Sequence, residues 1–408
     1  MANKRQSKKT NVVTLATPLA NLKANLKGKV RRHLRSLGFR RSKDDGRLVI
    51  DGTGKEAIRS LHLAQRNNKL KQNKEFIEEQ WPLLQKHFAS GSEIDPGNIK
   101  PELELVRSNS WQANLFRLAA LTWAVPVSNG FGRRLRYLVW DRHNNKLIGL
   151  IAIGDPVFNL TVRDQHIGWD VKARTERLVN ILDAYVLGAI PPYNMLLGGK
   201  LVASLIRSRD IYNDFTKHYG NLEGIISKKE KRARLLVVTT SSSLGRSSVY
   251  NRLKLGEQQY FIDIGFTRGW GHFHIPDTLF IEMRNYLRKL KHKYADKHRF
   301  GQGPNWRLRT VRAALTALGF KDDLLKHGIQ REVFFCELAK NARGILRTGK
   351  GRPNIKSLLT AKEVSELAVK RWMVPRAERR PEYKLWQAAS IADLFAEKRA
   401  ISKVVEMR

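Results

Sequence analysis

The sequence predicts an α+β protein, a mixed sheet with flanking helices, set between basic helical N- and C-terminal regions. Three observations carry that reading. Hydrophobic residues make up 42 % of the 408-residue chain, enough for a real core. The middle of the chain alternates short aliphatic runs with amphipathic segments, the mark of strands interleaved with helices. Lys and Arg number 76 against 37 Asp and Glu, a net charge of +39 spread along the whole chain.

The elements follow in order. Residues 1–43 carry thirteen Lys or Arg and no acid. The first ten read as a disordered arm. Residues 19–38 read as a helix, with Leu26, Val30, Leu34 and Leu37 on one side and Lys27, Arg31 and Arg35 on the other. Residues 55–90 hold one or two further helices, and the Gly, Pro and Ser content of 89–101 marks a loop. Residues 111–123 form an apolar helix. Two strands around the turn "DRHNNK" fill 133–155. A short helix in "DVKARTER" leads to the strand "ILDAYVLGAI" and the loop "PPYNMLLGG". A long helix is expected over about 199–217, a buried strand over 232–241, and a short helix over 247–255. "QQYFIDIGF" and "GWGHFHI" are expected to pair as strands, and a basic helical segment to fill 277–320. "REVFFCEL" reads as one more strand, followed by helices and basic loops. The expected division is a basic helical region over 1–100, an α/β core over 101–280, and a basic helical region over 281–408.

The charge bounds the function. A field of that sign concentrates phosphates and makes polyanion binding salt-sensitive, so nucleic acid, DNA first, is the expected partner. Acidic partner subunits are the alternative. One cysteine, Cys336, excludes a disulfide framework and a cysteine-based zinc site, and its apolar surroundings suggest a buried core thiol in a cytoplasmic protein. No apolar run approaches the roughly 18 residues of a membrane span, so no membrane partner is expected. The nucleic-acid candidates are Arg31, Arg32 and Arg35 in the first helix, and Arg288, Lys289, Lys291, Lys293, Arg299, Arg307, Arg309 and Arg312 in the basic stretch 284–312. Tyr286, Tyr294, Phe300 and Trp306 interleave there, as core residues or as platforms for unpaired bases.

Candidate chemistry concentrates in four places. The strand, glycine loop and helix around Gly198, Gly199 and Lys200 place backbone donors at a helix N-terminus, which suits a phosphate; a plain tight helix start is the alternative. The loop "GDPVFNLTVRDQHIGWD" gathers Asp155, Arg163, Asp164, His166 and Asp170. Asp164 and His166 are candidates for a base and its orienter, or for an Arg–Asp brace with Asp170 capping the next helix. Asp183 is a candidate base of raised pKa or a satisfied turn residue. His272 and His274 fall on one side of a strand, compatible with a metal but without a recognisable third ligand. A magnesium site would need Asp155, Asp164 and Asp183 to converge. The sequence assigns no metal.

The element order over 133–275 resembles the GCN5-related N-acetyltransferase (GNAT) fold. That resemblance implies a fourth strand splayed from the fifth, with the pantetheine arm of acetyl-CoA in the gap. It places Asn194, Leu197, Gly198, Gly199 and Lys200 at the pyrophosphate. It implies Tyr250 in "SSVYNRLKL" as the acid for the leaving thiolate, with Asp164 or Asp183 as base. Acetyl-CoA is the candidate cofactor on this ground alone. The four stretches "RYLVWDRHNNKLIGLIAIGDPVFNLTVRDQHIGW", "PPYNMLLGGKLVASL", "TTSSSLGRSSVYNRLK" and "GFTRGWGHFHIP" resemble the DruA family of Druantia anti-phage systems. That resemblance covers about 105–345 and implies bacterial defence beside a large helicase-like partner. A non-catalytic DNA sensor or adaptor and a metal-dependent nuclease or transposition-associated enzyme stand as the alternative functions.

Overall fold

The computed structural model describes residues 18–41, 48–50, 55–128, 130, 132–223, 230–269, 271, 275–296 and 304–397. Its centre is a seven-stranded mixed sheet. The strands are β1 (Pro101–Leu105), β2 (Arg134–Asp141), β3 (Lys146–Gly154), β4 (Ile181–Ala189), β5 (Val237–Ser241), β6 (Ile262–Phe266) and β7 (Glu332–Glu337). Their spatial order is β6-β7-β5-β4-β3-β2-β1. Neighbours are antiparallel except β4 and β5, which run parallel.

Alternation along the strands fills both faces. Tyr137, Val139, Leu182, Val238, Phe334 and Cys336 point to one side, and Leu138, Trp140, Val186, Val237 and Phe335 to the other. The first face is covered by α5 (Gly198–Leu205) and α6 (Arg209–Tyr219), with the C-terminal helix Ala361–Ala368 behind. The second is covered by α3 (Trp111–Ala120) near β2 and β3, and by α4 (Thr161–Ile167) near β5 and β7.

A second core lies outside the sheet. It joins α1 (Pro18–Ser36) and α2 (Lys55–Gln72) to α7 (Asp277–Lys289) and α8 (Pro304–Ala317) through Leu26, Val30, Leu34, Leu61, Met283, Leu287, Val311 and Leu318. The N-terminal helices therefore pack on the segment after residue 275, and the expected boundary at 280 does not follow the packing. Beyond it the chain returns to the sheet as β7, and residues 338–383 pack on the sheet core through Leu358, Val364, Trp372 and Tyr383. The expected C-terminal helical region is thus divided between two cores.

Two local expectations are corrected. The long helix over 199–217 is two helices, because Ser208 turns extended and its hydroxyl caps α6 at the Ile211 amide. The helix expected over 247–255 is one 3₁₀ turn, Tyr250–Arg252. β6 pairs with β7, and of its expected partner "GWGHFHI" residues 270 and 272–274 lie outside the described residues. The turn at 142–145 is as expected, with Asn145 at φ 55°, a conformation asparagine tolerates.

Candidate functional site: a cleft where the sheet splits

β4 and β5 are paired only at Ile181–Val237, Leu182–Val238 and Asp183–Thr239. One residue further on, β4 carries a bulge against β3: Ala152 faces Val186 and Ile153 faces Ala184, so Tyr185 is the extra residue. A bulge bends its strand and increases the local twist. From there to Ala189, β4 follows β3 and leaves β5. The split opens into a cavity of about 970 Å³ lined by Asp183, Tyr185, Leu187, Gly199, Thr240 and Tyr250, among others. The sheet supplies one side, and Arg59 of α2 together with His327 and Arg331 of the helical core's edge supplies the other.

Asp183 is the last paired residue before the split. Its Oδ1 accepts a hydrogen bond of 2.7 Å from the Thr239 hydroxyl. Burial pushes its carboxyl up to about 6, against the lowering effects of Thr239 and of the Arg163 charge. Tyr250 enters from the far side of the split. Its ring packs on Phe261 and Phe334, each 5.1 Å away, and its hydroxyl reaches toward the Leu187 carbonyl at 3.4 Å. Burial raises its phenol to about 12, so it carries its proton at neutral pH.

The loop that holds Tyr250 is fixed from beneath by a buried acid. Glu332, at the start of β7, accepts from the Ser247 amide at 2.7 Å and from the Asn251 amide group at 3.0 Å. The Ser247 hydroxyl in turn accepts from the amides of Val249 and Tyr250. Sequence reading missed Glu332; its signal is a carboxylate opening the apolar run "VFFC".

The glycine loop reaches the cleft through one residue. Leu197 has φ 60° and starts α5. The Gly198 amide bonds the Tyr193 carbonyl, and the Lys200 amide bonds the Leu197 carbonyl. Gly199 lines the cleft and faces open space. Lys200 turns away from it, over the Trp372 ring at 5.4 Å. Burial and the charges of Arg252 and Arg371 lower its pKa. Asn194 is exposed.

Asp164 and His166 stand apart. Both oxygens of Asp164 are occupied: Oδ1 by Arg163 at 2.7 and 2.9 Å, and Oδ2 by Arg174 at 2.8 Å. This is a buried brace for α4 rather than an available base. His166 lies edge-on to Phe335 at 4.9 Å. Asp170 caps the next helix through the Ala173 amide. Asp155 pairs with Arg133 at 2.7 Å. Among the described residues no three His, Cys, Asp or Glu side chains stand close enough to hold a metal ion, so Asp155, Asp164 and Asp183 form no such group. His272 and His274 lie outside the described residues. Cys336 is buried in the sheet core, and burial raises its thiol to about 12.

The basic candidates lie on the helical core. Arg31, Arg32 and Arg35 are exposed on α1. Arg288, Lys289, Lys291 and Lys293 are exposed at the end of α7 and just after it, with Arg288 ion-paired to Asp296 at 2.7 Å. Arg307 is tied to Asp277 at 2.5 Å and covers the Phe280 ring. Arg309 and Arg312 are exposed on α8, and Arg299 lies outside the described residues. Tyr286 is buried, and Trp306 packs edge-on against Phe280, so these aromatics serve the core.

Fold and cleft together define a class: an α+β protein with a split mixed sheet, a partly buried acid and phenol across the split, and a strongly basic helical unit beside it. Comparison with known proteins gives the family. Residues 52–348 match the family model described as Druantia protein DruA. A Druantia protein DruA of Escherichia coli (strain UMEA 4076-1) is 64 % identical over 373 residues, covering 91 % of this chain and 92 % of that protein. The chain belongs to the Druantia DruA family. No solved structure matches it. Among the described residues no helix is long and apolar enough to cross a membrane.

Proposed function

We propose that this chain is a nucleic-acid-binding component of an anti-phage defence system of the Druantia type, acting beside other proteins of that system, a helicase-like one included. We read its sheet as GNAT-like, with the split as an acyl-transfer cleft. What supports this is one observation: the parallel pair β4–β5 parts directly after Asp183, and Asp183, Gly199 and Tyr250 line the resulting cavity. A chain end bearing a pyrophosphate would lie against Gly199, where no side chain stands in the way. Acetyl-CoA, when bound, would supply the activated acyl group. Asp183 is suited to take a proton from an attacking amine, because a carboxylate of raised pKa is a better base. Tyr250 is suited to give a proton to a departing thiolate. The acceptor in this reading is an amine on a nucleobase or a protein.

A second reading has its own observation. The amides of Gly198 and Lys200 are spent on carbonyls of their own loop, which leaves few donors for an anion. In that reading the cleft is inert and the protein is a nucleic-acid sensor or adaptor.

The thermal stability of the full chain, freed of nucleic acid and measured with and without acetyl-CoA, separates the two. A saturable rise that Gly199→Trp abolishes supports the acyl-transfer cleft. No rise with acetyl-CoA, while nucleic acid still stabilises the protein, overturns it and leaves the adaptor.

A further inference from the structure

A second cavity, also about 970 Å³, lies outside the cleft on the surface between α2, α3, β2 and the start of α7. Its charge is one-sided. Lys69, Arg117, Arg134, Arg136 and Arg307 line it, against one carboxylate, Asp277. That carboxylate is already engaged by Arg307 and by Gln72. Lys69 and Arg117 stand close enough for the Arg117 charge to help burial lower the Lys69 pKa. Arg117 lies flat on the Phe76 ring at 3.7 Å and is held by Asn73, and Arg136 lies over Phe116 at 5.7 Å. Like charges held side by side, with a single engaged acid among the lining residues, raise the potential that a polyanion lowers. Asn68 and Asn114 also line the groove, with the Asn114 amide nitrogen donating to Gln80 at 3.1 Å.

The groove does not end blindly. Gln65, Val127, Ser128 and Tyr185 line both it and the cleft. Tyr185 is the bulged residue of β4, and its hydroxyl is buried at this junction without a hydrogen-bond partner among the described residues. A buried hydroxyl left unpaired is unfavourable, and a polar ligand passing the junction would satisfy it.

We propose that this groove binds a single strand of nucleic acid and leads one nucleotide past Tyr185 toward the cleft. The cations take phosphates, and the amides and the Tyr185 hydroxyl meet bases. The Tyr185 hydroxyl is buried beneath the groove, where an unpaired base can reach it, whereas the bases of an intact duplex stay stacked inside it. The proposal rests on the nucleic-acid half of the function above and is independent of its acyl-transfer half.

The test is fluorescence anisotropy of the full chain with a labelled twelve-nucleotide DNA strand and with the matching duplex, over a series of salt concentrations. The strand is expected to bind more tightly than the duplex. Arg134→Gln with Arg136→Gln is expected to lower strand affinity about tenfold or more and to flatten the log–log salt slope by about 1.4, at roughly 0.7 per lost single-strand phosphate contact. Arg134→Lys with Arg136→Lys keeps the charge and is expected to keep the slope, which excludes misfolding as the cause. Lys362→Gln, exposed on the C-terminal helix Ala361–Ala368 away from the groove, is expected to leave strand binding unchanged. Equal binding of strand and duplex, with the double Gln variant without effect, overturns the groove while leaving nucleic-acid binding by the helical core standing. Absence of any nucleic-acid binding overturns both.

Discussion

Gly198 and Gly199 are neighbours with opposite prospects, and replacing each by alanine measures what the loop is built for. A Cβ on Gly198 would lie 2.6 Å from the Tyr193 oxygen, 3.1 Å from its carbon and 3.2 Å from the Ala189 Cβ. The Gly198 amide is bonded to that same Tyr193 oxygen at 2.9 Å, so the residue cannot withdraw without losing the bond. Overpacking of this kind costs about 1–3 kcal/mol, and weakening one backbone hydrogen bond adds about 0.5–1.5 kcal/mol. Alanine returns about 0.4–1 kcal/mol by restricting the unfolded chain. The net expectation for Gly198→Ala is a loss of about 1–3 kcal/mol. Gly199 has nothing within 4 Å of its would-be Cβ, so Gly199→Ala keeps only the gain. Urea unfolding of the full chain, followed by circular dichroism, reads both. Equal stability of the two variants, or a loss at Gly199 as large as at Gly198, would refute the assignment of Gly198 to packing and Gly199 to the open cleft.

Two further predictions test the acids. Asp164→Asn leaves the Arg163 guanidinium, whose side chain is 0 % exposed, without its carboxylate, and deprives Arg174 as well. Breaking a buried pair in this way costs about 3–5 kcal/mol, so the urea midpoint is expected to fall sharply; a loss below about 1 kcal/mol would show that the brace is not structural. Asp183 is the opposite case. Its folded pKa is raised from 3.8 to about 6, so the folded state holds the proton more tightly than the unfolded chain. The native state is therefore favoured by protonation below about pH 4, and that advantage is lost as pH rises through 6. The difference corresponds to about 3 kcal/mol above pH 7. Asp183→Asn still accepts from Thr239 and is expected to be more stable than the parent at pH 8 and equal to it near pH 4; a pH-independent difference would contradict the burial of this carboxyl.

The parts of this molecule legible in its sequence are those set by local chemistry. The hairpin of β2 and β3 is written in two aliphatic runs around an asparagine turn, and the buried stripe of α1 in Leu26, Val30 and Leu34. Asp170 is a capping residue in both readings. The helix break at Ser208 was missed because apolar spacing continues across it, through Ile206 to Ile211. The brace of Asp164 was half legible: Arg163 is its neighbour, whereas Arg174 joins it only because the turn at Gly168, with φ 82°, folds the next helix back. The bulge at Tyr185 has no signal in "LDAYVLGA", because an extra residue in a strand is defined by its partner strand. The outer groove is the extreme case. Lys69, Arg117, Arg136 and Arg307 lie far apart in the chain and meet only after both cores have formed.

The way the two cores are joined bears on function. β6 ends at Phe266 and β7 begins at Glu332, yet the two are adjacent antiparallel strands. Their connection, 267–331, contributes α7 and α8 to the helical core, so that half of it is inserted into what would otherwise be a hairpin. β7 lies between β6 and β5, directly beside the split, and its first residue, Glu332, holds the Tyr250 loop. Arg331, one residue earlier, lines the cleft, and its amide bonds the Thr267 hydroxyl at the other end of the insertion. A load on the helical core is thus carried to the cleft by two short connections that close on each other. Strain there acts on the Tyr250 loop before it acts on Asp183, which is held by Thr239 and by the paired part of β4 and β5. Of the two sides of the split, the tyrosine side is the one tied to the helical core.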